Sequence, residues 1–382
     1  MGETVSGAAH EPAVAQGPPV TVAPPPLRSQ RNPRWTAIRV ALTVAYVAGT
    51  LVWTNRVANA RNYSYNGTLD YLGAIPTDRE IIVVWMVGLF MVNLVGRPAK
   101  EWVTTLLSWA PFLVALFLYD FARSIGFRIH GKGTPPAMIV PQIRADELFG
   151  LGRLPTTILQ ERLYDPDRIQ WYDVIVSGVY TSHFLVPYLF AGFLWTKGKR
   201  LWRWYAATFV GVNFFSCLVF AIVTTAPPWY AANAGLIPPF ERVIAGRGWS
   251  KVGLNLMSRL IDKGQDTVNP YAAIPSLHSA QAFLIVVCVS PFVWKWLRPL
   301  LLLYPLAMTF ALVYSGEHYF VDVLAGWLIV CCALILGGWL RKRYGWINPF
   351  LYPSMNSAPP VVDADQPEAA PVSARTSSTN SL

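Results

Sequence analysis

The chain has 382 residues, of which 53% are hydrophobic and only 14% charged; its formal net charge is +10 and its mean hydropathy +0.36. That balance excludes an ordinary water-soluble enzyme of this length and points to a membrane protein. The positive charge collects beside apolar runs, so it reads as membrane topology rather than as a nucleic-acid surface, and no nucleic-acid partner is expected.

Residues 1–34 are rich in Pro and Ala and cannot bury a core, so a disordered tail is expected there. They also lack the basic, then apolar, then cleavage-site pattern of a signal peptide. Eight apolar runs follow, at about 36–54, 80–96, 103–122, 171–196, 204–226, 276–297, 299–316 and 319–340, with the second and seventh the shortest. They predict an all-α, polytopic membrane bundle over 35–345. Residues 346–382 form a second low-complexity tail. Two long connections, 123–170 and 227–275, are expected to hold elements of their own or to serve a site. Within the first, 142–163 mixes apolar and charged residues and reads as an amphipathic helix lying on the membrane. Cys217, Cys288, Cys331 and Cys332 all fall in predicted spans without metal-ligand spacing, and are expected to be small packing residues.

The short connections carry Arg97 and Lys100, then Lys197, Lys199, Arg200 and Arg203, then Lys295 and Arg298, with Arg341, Lys342 and Arg343 closing the last span. Glu101 is the only acid among them. By the positive-inside rule these connections and both termini face the cytoplasm, and the long connections face outward. A bacterial-type plasma membrane is the expected location.

Two segments carry the chemistry. The first runs from Asn269 through Pro275, Ser276, Leu277, His278 and Ser279, and the second from Tyr314 through Glu317, His318 and Asp322 to Gly326. Pro275 suits the first turn of a helix, whose free N–H groups attract anions, with Ser276, His278 and Ser279 in that turn. His318 and Asp322 are four apart and share a helix face, where the carboxylate can orient the imidazole and favour its charged form. Each segment has an ordinary alternative, a capped helix end or a structural hydrogen bond. Together they place three chemically capable side chains at one depth on one side of consecutive spans. Near them, His183 lies inside the fourth span, as a functional group or a helix–helix hydrogen bond. Asp266 and Asn269 precede the first segment and can bind substrate or shape the turn.

The paired segments resemble those of the type 2 phosphatidic acid phosphatase superfamily, whose lipid phosphatases carry Pro-Ser-Gly-His and Ser-Arg-x5-His-x3-Asp. Here Pro275-Ser276-Leu277-His278 matches the first, and His318 with Asp322 the second. Leu277 replaces the usual Gly, Leu312 stands where the phosphatases place an Arg, and the Lys-x6-Arg-Pro motif is not intact. These departures, with His318-Tyr319 through Gly326, Tyr180-Thr181-Ser182-His183-Phe184 and Ala226-Pro227-Pro228-Trp229, are similar to the branch of inositol phosphorylceramide synthases and their bacterial relatives. The resemblance covers about 80–345. It implies a six-helix catalytic core to which the first two spans are additions, and phosphoryl transfer through a phosphohistidine with no metal or cofactor. By it, His318 attacks phosphorus, Asp322 orients and charges His318, and His278 moves the proton. The substrate would be a lipid phosphate, met among membrane lipids, with either water or a hydroxyl as acceptor.

Positive charge must still reach the phosphoryl group. Arg123, at the outer end of the third span, is the first candidate, ahead of Arg128, Lys132, Arg247 and Lys263. A transporter and an inactive structural membrane protein are the competing classes. The absence of charged pairs at the midplane argues against the first, and the intact His278, His318 and Asp322 against the second.

Overall fold

The structure, a computed structural model, describes residues 33–59, 79–130, 138–243, 246–255, 257–258, 261–262 and 271–344. The expected tails therefore lie outside the described residues, apart from the start of the first helix. The long elements are α1 (Pro33–Asn59), α2 (Arg79–Val92), α3 (Ala99–His130), α6 (Trp171–Lys197), α7 (Lys199–Ile222), α10 (Leu277–Val289), α11 (Leu303–Tyr314) and α12 (Phe320–Tyr344). Shorter helices are α4 (Ile139–Phe149), α5 (Pro155–Leu163), α8 (Pro228–Asn233) and α9 (Gly246–Lys251). The described residues form helices, turns and one isolated bridge, Thr225 to Ala272.

Among the described residues, six stretches are long and apolar enough to cross a membrane: Arg34–Val52, Ala99–Tyr119, Trp171–Lys197, Arg200–Ile222, Lys295–Tyr314 and Phe320–Leu340. This is the pattern of a multi-pass membrane protein. The expected second and sixth spans appear instead as shorter apolar helices, Val83–Val92 and Leu277–Phe292. The sixth is shorter than expected because the apolar run continues past α10 into turns at Ser290–Phe292 and Lys295–Leu297. The seventh, expected to be short, gains length from the turn at Lys295–Leu297 and the short helix Arg298–Leu301.

α10 is the centre of the bundle, in contact with α6, α7, α11 and α12. That explains why a helix of only 13 residues is apolar on every side. A second packing centre joins α3, α6 and α7 through aromatic rings, with Trp109 against Trp202 at 5.7 Å and Phe112 against Phe209 at 5.1 Å. Tyr119 meets Phe220 at 5.7 Å, so α3 and α7 run in the same direction. α1 lies at the edge against α2, where Tyr46 Oη donates to the Trp85 carbonyl at 3.1 Å.

One end of the bundle is capped by α4, α5, α8 and α9. The stretch 142–163, expected to be an amphipathic helix lying on the membrane, is divided between α4 and α5, and its apolar residues Leu148, Phe149 and Leu151 stay exposed. The segment forms two helices that dock on protein, because Gln142 and Gln160 are buried and find partners there. Gln160 Nε2 donates to the Glu241 carbonyl at 2.7 Å and the Tyr314 carbonyl at 2.8 Å. The opposite end gathers the basic connections. Arg39 Nε donates to the Val95 carbonyl at 3.0 Å, which brings the start of α1 to the α2–α3 connection. Arg97 pairs with Glu101 at 3.0 Å at the same end.

The cysteines divide. Cys217 and Cys288 are buried packing residues, whereas Cys331 and Cys332 are exposed on α12. The latter pair lies at the surface of the bundle, with Cys332 lining a groove beside Thr208 and Phe215 of α7.

Candidate active site

Three chain segments meet at the capped end of the bundle. Ile274 N donates to Thr225 Oγ1 at 2.9 Å, which ties the chain ahead of α10 to the chain after α7. Ser276 caps α10, with its hydroxyl accepting from Ser279 N at 3.4 Å. Pro275 therefore stands before the cap rather than in the first turn: Ser276 takes the capping role that an extended backbone and a hydroxyl suit. Ser276 N donates to the Asp322 carbonyl at 3.0 Å, and Ser279 Oγ lies 3.2 Å from the Val323 carbonyl. Both serines are buried, and their polar atoms stitch the start of α10 to the start of α12. Gly326 makes the approach possible, since a Cβ there would lie 2.4 Å from the Ser276 carbonyl oxygen. Two helix N-termini thus converge, and their positive ends favour an anion between them.

Leu312 O accepts from both Glu317 N at 3.0 Å and His318 N at 3.2 Å, closing the turn between α11 and α12. Gly316 takes φ +73° in that turn, and a Cβ there would meet the Phe240 ring at 2.3 Å. His318 follows with its Nδ1 3.3 Å from Asp322 Oδ2. Asp322 is fully buried, and the same Oδ2 accepts from Tyr319 N at 3.0 Å. Its Oδ1 accepts from Gln142 Nε2. With Nδ1 turned to the carboxylate, His318 Nε2 is the nitrogen left to act on a substrate.

The rings of His278 and His318 are 5.5 Å apart, centroid to centroid, at 62°. That separation suits two groups serving opposite oxygens of one phosphoryl centre. Tyr180 stacks on His278 at 5.1 Å and 27°, and Phe184 meets it edge-on at 6.0 Å. His183, 2% exposed, lies against His278 with centroids 3.9 Å apart. The structure thus brings His183, His278, His318, Asp322, Ser276 and Ser279 together. Asp266, Asn269, Lys132 and Lys263, and the side chains of Arg123 and Arg128, lie outside the described residues.

Leu312, at the position of the phosphatases' arginine, is buried in an apolar cluster with Tyr180, Met308 and Val323. Arg247 is committed elsewhere. It lies 3.3 Å from Asp173 Oδ2, donates to the Asp165 carbonyl and, at 2.9 Å, to the Arg168 carbonyl, and sits over the Tyr164 ring. Its role is to strap the chain entering α6. Arg242, which the sequence pattern does not single out, pairs with Glu317 beside His318 at 2.7 Å and covers the Trp229 ring at 4.2 Å. Asp146 of α4 is also at the site: its Oδ1 accepts from Val321 N at 3.0 Å. Its carboxyl is pushed up to about 7, first by burial and then by the Asp322 charge, against the lowering pull of the Val321 and Phe320 N–H groups.

Residues 160–336 match the family model of the PAP2 superfamily. Over 181 residues the chain is 32% identical to a phosphoinositol dihydroceramide synthase of Bacteroides thetaiotaomicron, covering 45% of this chain and 56% of that protein. Over 162 residues it is 28% identical to the catalytic subunit of inositol phosphorylceramide synthase from Schizosaccharomyces pombe, covering 41% of this chain and 36% of that protein. No solved structure matches significantly. Residues 160–336 are thus similar to the PAP2 superfamily, and the two relatives matched are named as sphingolipid head-group synthases.

Proposed function

We propose that this protein is a membrane enzyme that transfers a phosphorylated head group between lipids. The observation that carries the reading is the pairing of His278 with His318 at 5.5 Å, with buried Asp322 behind His318. His318 Nε2 attacks phosphorus, and the bond from phosphorus to the departing lipid oxygen breaks. Asp322 holds the Nδ1 proton and stabilises the positive charge that develops on the ring. His278 gives its proton to the departing alkoxide. It then takes one from the acceptor hydroxyl, which attacks phosphorus and frees His318. His183 and Tyr180 pack on His278 and hold its ring to this task.

Charge on the phosphoryl oxygens is met by the two helix N-termini and by a cation. Arg123 remains the first candidate, since Tyr119, one turn earlier on α3, already lies toward the capped end; Arg242 is the second. The names of the relatives support a phosphoinositol group as cargo and a ceramide-type hydroxyl as acceptor. The connections at 93–98, 198 and 290–298 and the end of α12 all lie at the bundle end opposite the site. Their basic content supports a cytoplasmic placement of that end and an outward-facing site in the plasma membrane.

The test is turnover by purified protein in vesicles containing ceramide and phosphatidylinositol labelled at phosphorus. Labelled phosphosphingolipid is the expected product. Release of water-soluble inositol phosphate instead would make water the acceptor and the protein a phosphohydrolase.

A further inference from the structure

The catalytic pair is also gripped from outside the residues that match the family, because α4 precedes residue 160. Gln142, Asp146 and Phe149 are spaced four and three apart, so they occupy one face of α4. All three reach the start of α12. Gln142 Nε2 donates to Asp322 Oδ1, Asp146 Oδ1 accepts from Val321 N at 3.0 Å, and the Phe149 ring meets Phe320 edge-on at 5.0 Å. We propose that α4 is the positioning element of this active site, with Gln142 fixing the Asp322 carboxylate and Asp146 anchoring the backbone beside it. The proposal rests on reading His318 and Asp322 as the nucleophilic pair.

Asp322 is fully buried and accepts from Gln142, Tyr319 N and His318. Without Gln142, Oδ1 loses the one donor it has among the described residues. A buried carboxylate that is short of a donor rotates toward any other, and the His318 ring then loses its fixed direction. Asp146 contributes differently. Its Oδ2 is buried with no hydrogen-bond partner among the described residues. The groups facing it from α12 and the preceding turn are Asp322 and Tyr319, whose phenol is held up by burial and by both carboxylates. α8 joins the apolar cluster of α4 through Ala231 and Tyr230, whose Oη lies 3.5 Å from Tyr271 Oη. α5 carries Glu161, paired with Arg153, and Arg162, all exposed. A proton on Asp146 therefore removes the charge that would oppose Asp322.

The test uses the full chain in detergent micelles, with labelled phosphatidylinositol and ceramide as probes. Gln142→Ala should lower kcat by about 10²-fold, the scale of a misplaced catalytic group, with little change in KM. Gln142→Glu is nearly isosteric. It should be impaired at about pH 8 and recover toward about pH 5.5, where a protonated glutamic acid can donate to Asp322. A packing role alone would not give that pH-dependent recovery. Wild-type kcat in Gln142→Ala, or a wild-type pH profile in Gln142→Glu, would overturn the proposal. His318→Ala and Asp322→Asn run beside them. If these two turn over normally, the catalytic reading itself falls. If they are inactive while Gln142→Ala is not, only the role of α4 falls. Hydrogen exchange gives a readout free of activity. Gln142→Ala should speed exchange of the Tyr319 amide, and Asp146→Ala that of the Val321 amide, while α6 and α7 stay protected. Unchanged exchange at both amides overturns the proposal regardless of turnover.

Discussion

Replacing Gly326 by Ala tests the site without touching a catalytic side chain. The new Cβ would lie 2.4 Å from the Ser276 carbonyl oxygen and 2.5 Å from Ser279 Oγ. The Ser279 hydroxyl can rotate away, but the carbonyl is fixed by the Ala280 N–H at 3.1 Å, and Ser276 N is bound to the Asp322 carbonyl at 3.0 Å. Carbon and carbonyl oxygen need roughly 3.3 Å or more even in their closest ordinary contacts, so α10 and α12 must part by about 1 Å. His278 sits two residues beyond Ser276, while His318 and Asp322 sit at the start of α12. The parting therefore falls between the two imidazoles. A displacement of that size costs about 10²-fold in rate, and overpacking costs about 1–3 kcal/mol of stability. Turnover and thermal unfolding in the same detergent measure both. Gly338→Ala on the same helix is the control, since its Cβ meets nothing within 4 Å and should be neutral or slightly stabilising. Wild-type turnover by Gly326→Ala would refute the claim that the α10–α12 contact sets the distance between the histidines.

His278→Ala should slow turnover by about 10²–10⁴-fold with lipid donors, and much less with a nitrophenyl donor whose leaving group needs no proton. Equal losses with both donors would remove His278 from the role of acid. Asp322→Asn should fold normally yet lose most activity, because a neutral amide cannot balance an imidazolium; unaffected turnover would contradict this. Asp146 makes a stability prediction. Its carboxyl holds its proton at about 7 in the native state, against an ordinary aspartate value of 3.8. The native state therefore binds more protons than the unfolded chain between about pH 4 and pH 7, and stability falls as pH rises through that window. Three units correspond to at most about 4 kcal/mol. Asp146→Asn should be less sensitive than wild type to a shift from about pH 5 to pH 8 in thermal unfolding. An identical pH dependence in the two proteins would contradict the buried carboxyl.

The fold class was legible because a chain with several apolar runs as long as a bilayer is thick can hide them from water only in a membrane. Span lengths were less so. Hydropathy cannot separate α10 from the apolar turns that follow it, and only packing shows that α10 ends at Val289. His278, His318 and Asp322 were legible because short-range spacing on neighbouring spans carries them. Ser276 could be placed near a helix start, but Pro275 drew the start too early. Gln142 and Asp146 were not legible. Their partner lies about 180 residues away, and the alternation around them is equally what a helix on a membrane surface would show. Arg242 was hidden likewise, since its value comes from Glu317 and Trp229, which the chain supplies from other loops.

If His318 is the nucleophile, it becomes covalently phosphorylated during turnover. Protein incubated with donor lipid labelled at phosphorus, without acceptor, and quenched without acid should retain label that acid then releases, as phosphohistidine requires. Peptide mapping should place the label on His318, and His318→Ala should carry none while His278→Ala still accumulates it from an activated donor. Label retained undiminished by His318→Ala would move the nucleophile to another residue.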